Sequence, residues 1–548
     1  MLRALGLSVV LSAVLFPALV SGQTTIIDNA DPAFTILSGT WNTGAYGSPY
    51  GPDYRWAATT SGGTPSAEVE WRPDLPAAGE YEVCVHYVAG PNRADNAPFT
   101  VHHAGGSVTV AVNQQVNDST WVSLGTYSFD AGTAGFVSLS NAAAPTVVIA
   151  DAVRFRSMNS CLVIPGDDPR IAIGGAMFAQ AGPHAVRLDR IDPLLFADPQ
   201  GLFSPAVAVL TTGVTIRFRT DSASIRANFN HLSFVVTEGT GYVVFQDGVF
   251  DRLVTDLETV DIPSVQPGLP VTVEIACPSY DEVTFADLEL DAGASLFPLP
   301  PDKRPRYFAL GDSITHGSEL DADTKADSTA SYPWVLARAK GWHLFNLGVG
   351  ASKVTPAFGS MLSGQQADVI TILWGLNDKA HDNEVALFVS KYDALLDNLR
   401  VGQPFTPVYC ITPITSTSEG PGSNGYTLDD YRDAINTLVA ARQATGDCNL
   451  HLIHGEDLTT LADLADGAHF SVAGAERFAT SLAGLVGPAW GDFDEDGLWT
   501  AEDWQLLAGC ISGPGVTPPL GVCEGVDLDC DQDVDLTELA VFQRRLAP

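Results

Sequence analysis

Basic side chains are scarce in this chain: 28 Lys and Arg stand against 65 Asp and Glu, a net charge of −37. A surface of that sign repels phosphate backbones and anionic lipid, which argues against nucleic acid as a partner. Long apolar runs are also missing. After the first 22 residues none reaches the roughly 20 that a membrane span needs, so no membrane span is expected. Neither an HExxH motif nor a Cys/His cluster occurs, so no metal or other cofactor is indicated for catalysis. Cysteines number eight. Pairings of Cys161 with Cys277, Cys410 with Cys448 and Cys510 with Cys523 would each stay inside one domain, although spacing alone does not decide connectivity.

The rest of the composition describes a folded protein. Hydrophobic content is 45%, with 51 Gly and 35 Pro, which suits a loop-rich and largely β chain. At 548 residues it is too long for one core, and length alone suggests about three or four domains. Residues 1–22 read as a signal peptide: Arg3 is the positive start, Leu5 to Val20 the apolar stretch, and Val20-Ser21-Gly22 a small-residue cleavage site before Gln23. A secreted, extracellular protein is expected.

Residues 23–157 read as all-β, with alternating runs such as Tyr81 to Tyr87 and Val108 to Val112 between Gly, Pro and Asn turns. Ile27-Asp28-Asn29, Gly39-Thr40-Trp41, Tyr54-Arg55-Trp56, Trp121 to Gly125 and Ile149 to Phe155 together resemble the golvesin C-terminal-like domain, also found in xanthan lyases. That resemblance implies a β-sandwich accessory module that binds carbohydrate. Trp41, Trp56, Trp71 and Trp121 are its candidate sugar-stacking residues, each weighed against a place in the core.

Residues 158–298 form a second β block, with alternation at Val214 to Arg219 and Val271 to Ile275 and an Asp247-Gly248 hairpin turn. Arg217 to Ser222 followed by Gln246-Asp247-Gly248 resembles the jelly-roll domain that precedes the catalytic domain in several carbohydrate esterases. Prolines between Phe297 and Pro305 then make a stiff linker.

From residue 299 to 490 the pattern changes to strands alternating with helices, the mark of an α/β/α doubly wound parallel sheet. The strands are Tyr307–Leu310, His343–Leu347, Val369–Trp374, Val408–Thr412 and Leu450–Ile453. Between them Val385, Phe388, Val389, Tyr392, Leu395, Leu396 and Leu399 recur at helical spacing. Gly311 is expected to turn the first strand sharply into a helix, leaving Ser313 beyond the carboxyl end of the sheet, where open α/β folds place ligands. A serine hydroxyl needs a base, and Asp466-Gly467-Ala468-His469 supplies one.

Four blocks in this region resemble, in order, those of the SGNH (GDSL-type) hydrolases: Gly311-Asp312-Ser313-Ile314-Thr315, Asn346 to Gly350, Gly375-Leu376-Asn377-Asp378 and Asp466 to His469. The resemblance implies an ester hydrolase with Ser313 as nucleophile, His469 as base and Asp466 orienting the imidazole. It further implies an oxyanion hole from the Ser313 N–H, the Asn377 amide and the glycine of the second block, with Gly350 and Ala351 both in position to supply that N–H. Asp312 is expected to bond its own loop, Asp378 to cap a helix, and the other histidines of this domain (His316, His343, His381, His451 and His454) to be structural or at the surface.

Residues 491–548 carry two acidic repeats with calcium-loop spacing. Asp492, Asp494, Asp496 and Asp503 occupy positions 1, 3, 5 and 12 of the first. Asp527, Asp529, Asp531 and Glu538 do so in the second, where Gln532 replaces the turn glycine. Each loop runs into a short helix. The pair resembles a type I dockerin, a small EF-hand-like α-helical tail, which implies structural calcium and a possible cohesin-type scaffold partner. The company of domains suggests removal of acetyl or other short acyl groups from polysaccharide. A GDSL lipase or general esterase, and a carbohydrate-binding scaffold with an inactive hydrolase domain, are the alternatives.

Overall fold

The computed structural model describes residues 24–546 apart from 62, 77, 159–161, 183–184, 198–201, 235–240, 319–327, 495, 519–522 and 524–525. Residues 1–22, expected to be a signal peptide, lie outside the described residues. Among those described, no helix is long and apolar enough to cross a membrane.

The first domain is built from antiparallel strands in sheets of four, five and three. Alternation does here what it should: Tyr81, Val83 and Val85 are buried on one strand, and Trp71, Phe99 and Val137 fill the space against them. Trp41 and Trp71 are core residues, which removes them as sugar contacts, while Trp56 packs half-buried against the same cluster. The second domain pairs two six-stranded antiparallel sheets around Ile216, Phe218, Val273 and Phe285.

The third domain is a five-stranded parallel sheet. Its strands are β1 (Arg306–Gly311), β2 (His343–Gly348), β3 (Val369–Leu373), β4 (Val408–Ile411) and β5 (Leu450–Ile453), in the spatial order 2-1-3-4-5. Phe308, Ala309, Leu310, Ile370, Ile372, Cys410 and Ile411 are fully buried, as expected of strands covered on both faces. The helix Val385–Gly402 buries Phe388, Tyr392, Leu395, Leu396 and Leu399, and Leu428–Ala444 opens on a Thr427/Asp430 capping box.

The second and third domains are not separate bodies joined by a linker. Ile191, Phe203 and Ala208 belong to the same core as Phe308 and Leu310, and Val243 and Phe245 to that of Tyr307 and Trp334. The guanidinium of Arg190, fully buried, donates to Leu210 O at 2.6 Å and, across the domain boundary, to Asn346 O at 2.5 Å and Gly348 O at 3.0 Å. Burial lowers its pKa to about 9, which still leaves it charged at neutral pH.

The cysteines correct one expectation and bear out another. Cys510 and Cys523 are bonded, but Cys448 pairs with Cys530 rather than with Cys410. Cys410, on the interior strand β4, is a buried free thiol, as is Cys277, whose suggested partner Cys161 lies outside the described residues. The Cys448–Cys530 bond ties the tail to the hydrolase domain across 82 residues. Asn449 Nδ2 donating to Leu528 O at 2.7 Å, and Phe405 packing on the tail's Trp490–Phe542 core, hold the same contact.

Candidate active site

The nucleophile block begins where β1 ends. Gly311 is needed for closeness rather than for an unusual backbone angle: a Cβ there would lie 2.6 Å from Leu373 O and 2.1 Å from Thr315 Oγ1. Asp312 caps the following turn of helix, Ser313–His316, its Oδ1 accepting the Ile314 N–H at 3.0 Å. Ser313 thus occupies the first helical position, where the backbone N–H has no intrahelical acceptor.

Across the sheet, the turn after β5 presents the base. Gly467 holds φ +88, and a Cβ on it would meet Thr417 Oγ1 at 2.6 Å. The Gly467 carbonyl accepts bonds from Thr417 N at 2.8 Å and Ser416 Oγ at 3.2 Å. This anchors a turn in which Asp466 Oδ1 accepts the N–H groups of Ala468 and His469 at 2.9 and 2.7 Å. Asp466 Oδ2 then meets His469 Nδ1 at 2.7 Å, and His469 Nε2 meets Ser313 Oγ at 2.7 Å. With the proton on Nδ1 held by the carboxylate, Nε2 is left as an acceptor aimed at the serine hydroxyl. Burial alone would raise the Asp466 pKa, but the bonds from the His469 ring and the two N–H groups outweigh it and hold the carboxyl below its ordinary value.

The oxyanion donors converge on the same end of the sheet. Asn377 Nδ2 is buried and has no hydrogen-bond partner, a donor kept free for a charge that is yet to form. Among the described residues, neither Gly350 nor Ala351 gives its N–H to a protein acceptor, since the adjoining turn bonds run from Val349 to Gly311 O and from Ser352 to Val349 O. The two remain equivalent candidates: Gly350 faces Val207, with only 3.2 Å for a Cβ, and Ala351 takes φ +59.

Several supporting residues escaped the sequence reading. Asn346 is fully buried and staples the second block to the nucleophile helix, its Nδ2 donating to Thr315 O and its Oδ1 accepting Gly348 N–H, both at 2.9 Å. Ser352 Oγ reaches Gly311 O at 3.3 Å and accepts the Trp374 indole N–H at 2.9 Å. Arg190 gathers two second-block carbonyls from a domain the hydrolase motifs do not cover, and nothing local in the sequence marks it. Asp378 is not the N-cap expected of it. It lies inside the helix Leu376–Ala380, where its carboxylate accepts Val354 N–H at 3.1 Å and Asn383 Nδ2 at 2.9 Å. His316 is structural, as expected: burial and Arg190 push its pKa to about 3, and its neutral ring donates to Ser279 O at 2.9 Å.

Asp312 makes a pH-dependent prediction. Burial, reinforced by the nearby Asp378, pushes its carboxyl to about 7. The folded state therefore holds a proton that the unfolded chain releases near pH 4, so stability falls as pH rises between about 4 and 7. Asp312→Asn keeps an oxygen for the Ile314 N–H and removes that slope, a difference of at most about 4 kcal/mol. Urea unfolding at pH 5 and pH 7 checks it. The variant should lose less stability than the parent over that interval, and equal losses would contradict the assignment.

In the tail, oxygens of Asp492, Asp494 and Asp496 lie within 4.8 Å of one another, as do those of Asp527, Asp529 and Asp531. Asp492 Oδ1 and Asp527 Oδ1 are buried without a partner. Burial and the neighbouring Asp503, Asp496 and Asp494 push the Asp492 carboxyl to about 6. The carboxylates at position 12 sit outside both clusters of oxygens. Asp503 accepts N–H groups from Phe493, Asp494 and Thr500, and Glu538 from Leu528 and Asp535. Gln532, in the glycine position, adopts φ +74.

Comparison with known proteins agrees with the geometry. Residues 25–157 match the golvesin C-terminal domain, and residues 309–477 the GDSL-like lipase/acylhydrolase family. A xanthan lyase from Bacillus sp. (strain GL1) is 40% identical over 136 residues, covering 24% of this chain and 14% of that protein; the chain thus matches only a small part of that relative's length. The structure of SsfX3, a salicylyl-acyltransferase from a tetracycline biosynthetic pathway, aligns with TM-score 0.54 and 22% identity, covering 60% of this chain and 99% of that one. This span exceeds what residues 299–490 alone supply, so the shared fold includes β structure ahead of the hydrolase sheet. An active-site mutant of a family two carbohydrate esterase from Clostridium thermocellum aligns with TM-score 0.45 and 15% identity over 58% of this chain and 98% of that one.

Proposed function

Residues 309–477 being a GDSL-like lipase/acylhydrolase domain, we propose that the chain is a secreted carbohydrate esterase that removes acetyl or other short acyl groups from polysaccharide through an acyl-enzyme. The observation that carries the chemistry is the continuous 2.7 Å relay from Asp466 through His469 to Ser313. Ser313 Oγ attacks the ester carbonyl as His469 Nε2 takes its proton. The oxyanion forms among the Ser313 N–H, the Asn377 amide and the N–H of Gly350 or Ala351. His469 then protonates the departing sugar oxygen; water, giving a proton to His469, attacks the acyl-enzyme, and His469 returns that proton to Ser313 Oγ as the acid leaves.

The polysaccharide part of the reading is supported by the first domain, which shares 40% identity over 136 residues with a protein named for xanthan. Acetate release from acetylated polysaccharides, set beside hydrolysis of short- and long-chain nitrophenyl esters, tests it. Release from a glycan that is lost in Ser313→Ala supports the reading, whereas preference for long acyl chains would move the protein to the lipases.

The tail is proposed to bind structural calcium, through Asp492, Asp494 and Asp496 in one loop and Asp527, Asp529 and Asp531 in the other, with Asp503 and Glu538 closing the loops. The buried, unpartnered oxygens of Asp492 and Asp527 fit a hard cation. Bound calcium would offset the repulsion among these carboxylates and stabilise the tail's fold. Chelation is expected to raise hydrogen exchange in residues 491–548 while nitrophenyl acetate hydrolysis stays within about twofold, because no triad or oxyanion residue belongs to the tail. Loss of activity in step with exchange would show that the tail supports the catalytic domain directly.

A further inference from the structure

Between the first two domains lies a cleft of about 310 Å³, at the lower end of the roughly 300–1,000 Å³ of small-ligand sites. Tyr50, Trp121 and Arg154 line it from the first domain, and Arg226, Arg252 and Asp261 from the second. Trp121 is half-buried, with the Arg154 guanidinium 4.9 Å from its ring centroid and the Tyr50 ring edge-on at 5.4 Å. Arg154 donates to Asp261 across the domain boundary, and Arg226 Nε donates to the same carboxylate at 2.7 Å. The Arg154 side chain is only 7% exposed, yet its Nε is buried without a partner.

These walls select a ligand class. Buried guanidinium and carboxylate groups disfavour an apolar occupant. A simple anion finds no strong charge excess either, because the guanidiniums of Arg154, Arg156, Arg226 and Arg252 are nearly balanced by the carboxylates of Asp261, Glu289 and Asp291 that line the cleft with them. A pyranose suits both features: its C–H face packs on aromatic rings, and its hydroxyls, each donor and acceptor, bond to guanidinium and carboxylate alike. Of the four tryptophans named as stacking candidates, Trp121 is the one that lines this cleft. The ion pairs that join the two domains also fix the spacing of the polar groups, so little ordering remains to be done on binding.

We propose that this interdomain cleft is a second glycan site, which holds an uncharged pyranose unit of the polysaccharide at a place separate from the triad. That its ligand is the esterase's own substrate rests on the function proposed above. The test uses the full chain carrying Ser313→Ala, run by affinity electrophoresis through gels containing xylan, glucomannan or hydroxyethylcellulose. Trp121→Ala removes the stacking face. Ala223→Trp fills the cleft from the irregular turn between the strands Thr215–Thr220 and Ser224–Phe234, and it decides the matter should Trp121→Ala fail to fold.

Retention by at least one glycan, weakened tenfold or more in these variants, is the expected result. In the Ser313-bearing forms of the same variants, nitrophenyl acetate turnover should stay within about twofold of the parent. Retention unchanged in Ala223→Trp, or no retention of the parent by any of the three glycans, overturns the proposal. Weakened retention without acetate release from any acetylated polysaccharide would leave the glycan site standing and remove the substrate reading. Acetate release with cleft variants that bind like the parent would do the reverse.

Discussion

Ser313→Ala is expected to lower kcat/KM on a small acetate ester by about 10⁴-fold or more, while the protein stays folded. The size of the effect follows from what the hydroxyl does. Without it no acyl-enzyme forms, and only the oxyanion donors and substrate positioning remain to assist water, a residual known to be small beside the complete relay. The fold should tolerate the change. Ser313 is half-buried, its Oγ bonds His469 Nε2, and the local helix is capped by Asp312 and not by the serine side chain. His469→Ala should cost nearly as much, and the double variant little more than either alone, because the two residues act as one unit. Steady-state kinetics with circular dichroism on the same samples checks both statements. Additive losses would mean that serine and histidine do not cooperate.

The second large effect is expected at Asn377. Its Nδ2 is a buried donor without a protein acceptor, an arrangement that ordinarily costs stability and is explained when the acceptor appears only in the transition state. Asn377→Ala should lower kcat by about 10²- to 10³-fold, roughly 3–4 kcal/mol of transition-state stabilisation, with KM nearly unchanged. The variant should unfold no more easily than the parent, because it deletes no bond of the amide nitrogen made in the resting protein. A loss confined to KM would instead make Asn377 a substrate-binding residue, and a loss below threefold would remove it from the oxyanion hole.

The hydrolase sheet was legible because parallel strands covered on both faces are written as uninterrupted apolar runs, and each of the five falls where its run does. The triad was legible because its members sit in short blocks whose geometry is local: Asp466 and His469 share one turn, and Gly311-Asp312-Ser313 another. What could not be read depended on contacts between distant segments. Arg190 lies in a β-rich stretch and bonds carbonyls more than 150 positions later. Phe203 and Phe245 are apolar residues of a β domain, and nothing in their periodicity says that they pack on the hydrolase core. The same limit explains the cysteines: keeping each pair within one domain favoured Cys410–Cys448, but Cys410 is enclosed on the interior strand β4 while Cys448 lies where the tail docks. Asp378 misled for a subtler reason. An Asp after Gly-x-Asn suits a helix start, but here the carboxylate turns to Val354 and Asn383 and braces the segment that follows the second block.

Everything proposed for the hydrolase domain depends on Ser313, activated by His469, being the group that takes the acyl chain. The most direct measurement is covalent: the full chain is incubated with an alkyl fluorophosphonate and the modified residue is located by peptide mass spectrometry. One adduct is expected, on Ser313, formed quickly in the parent and slowed by orders of magnitude in His469→Ala. An adduct on a different residue, or labelling of Ser313 at the same rate without His469, would contradict it.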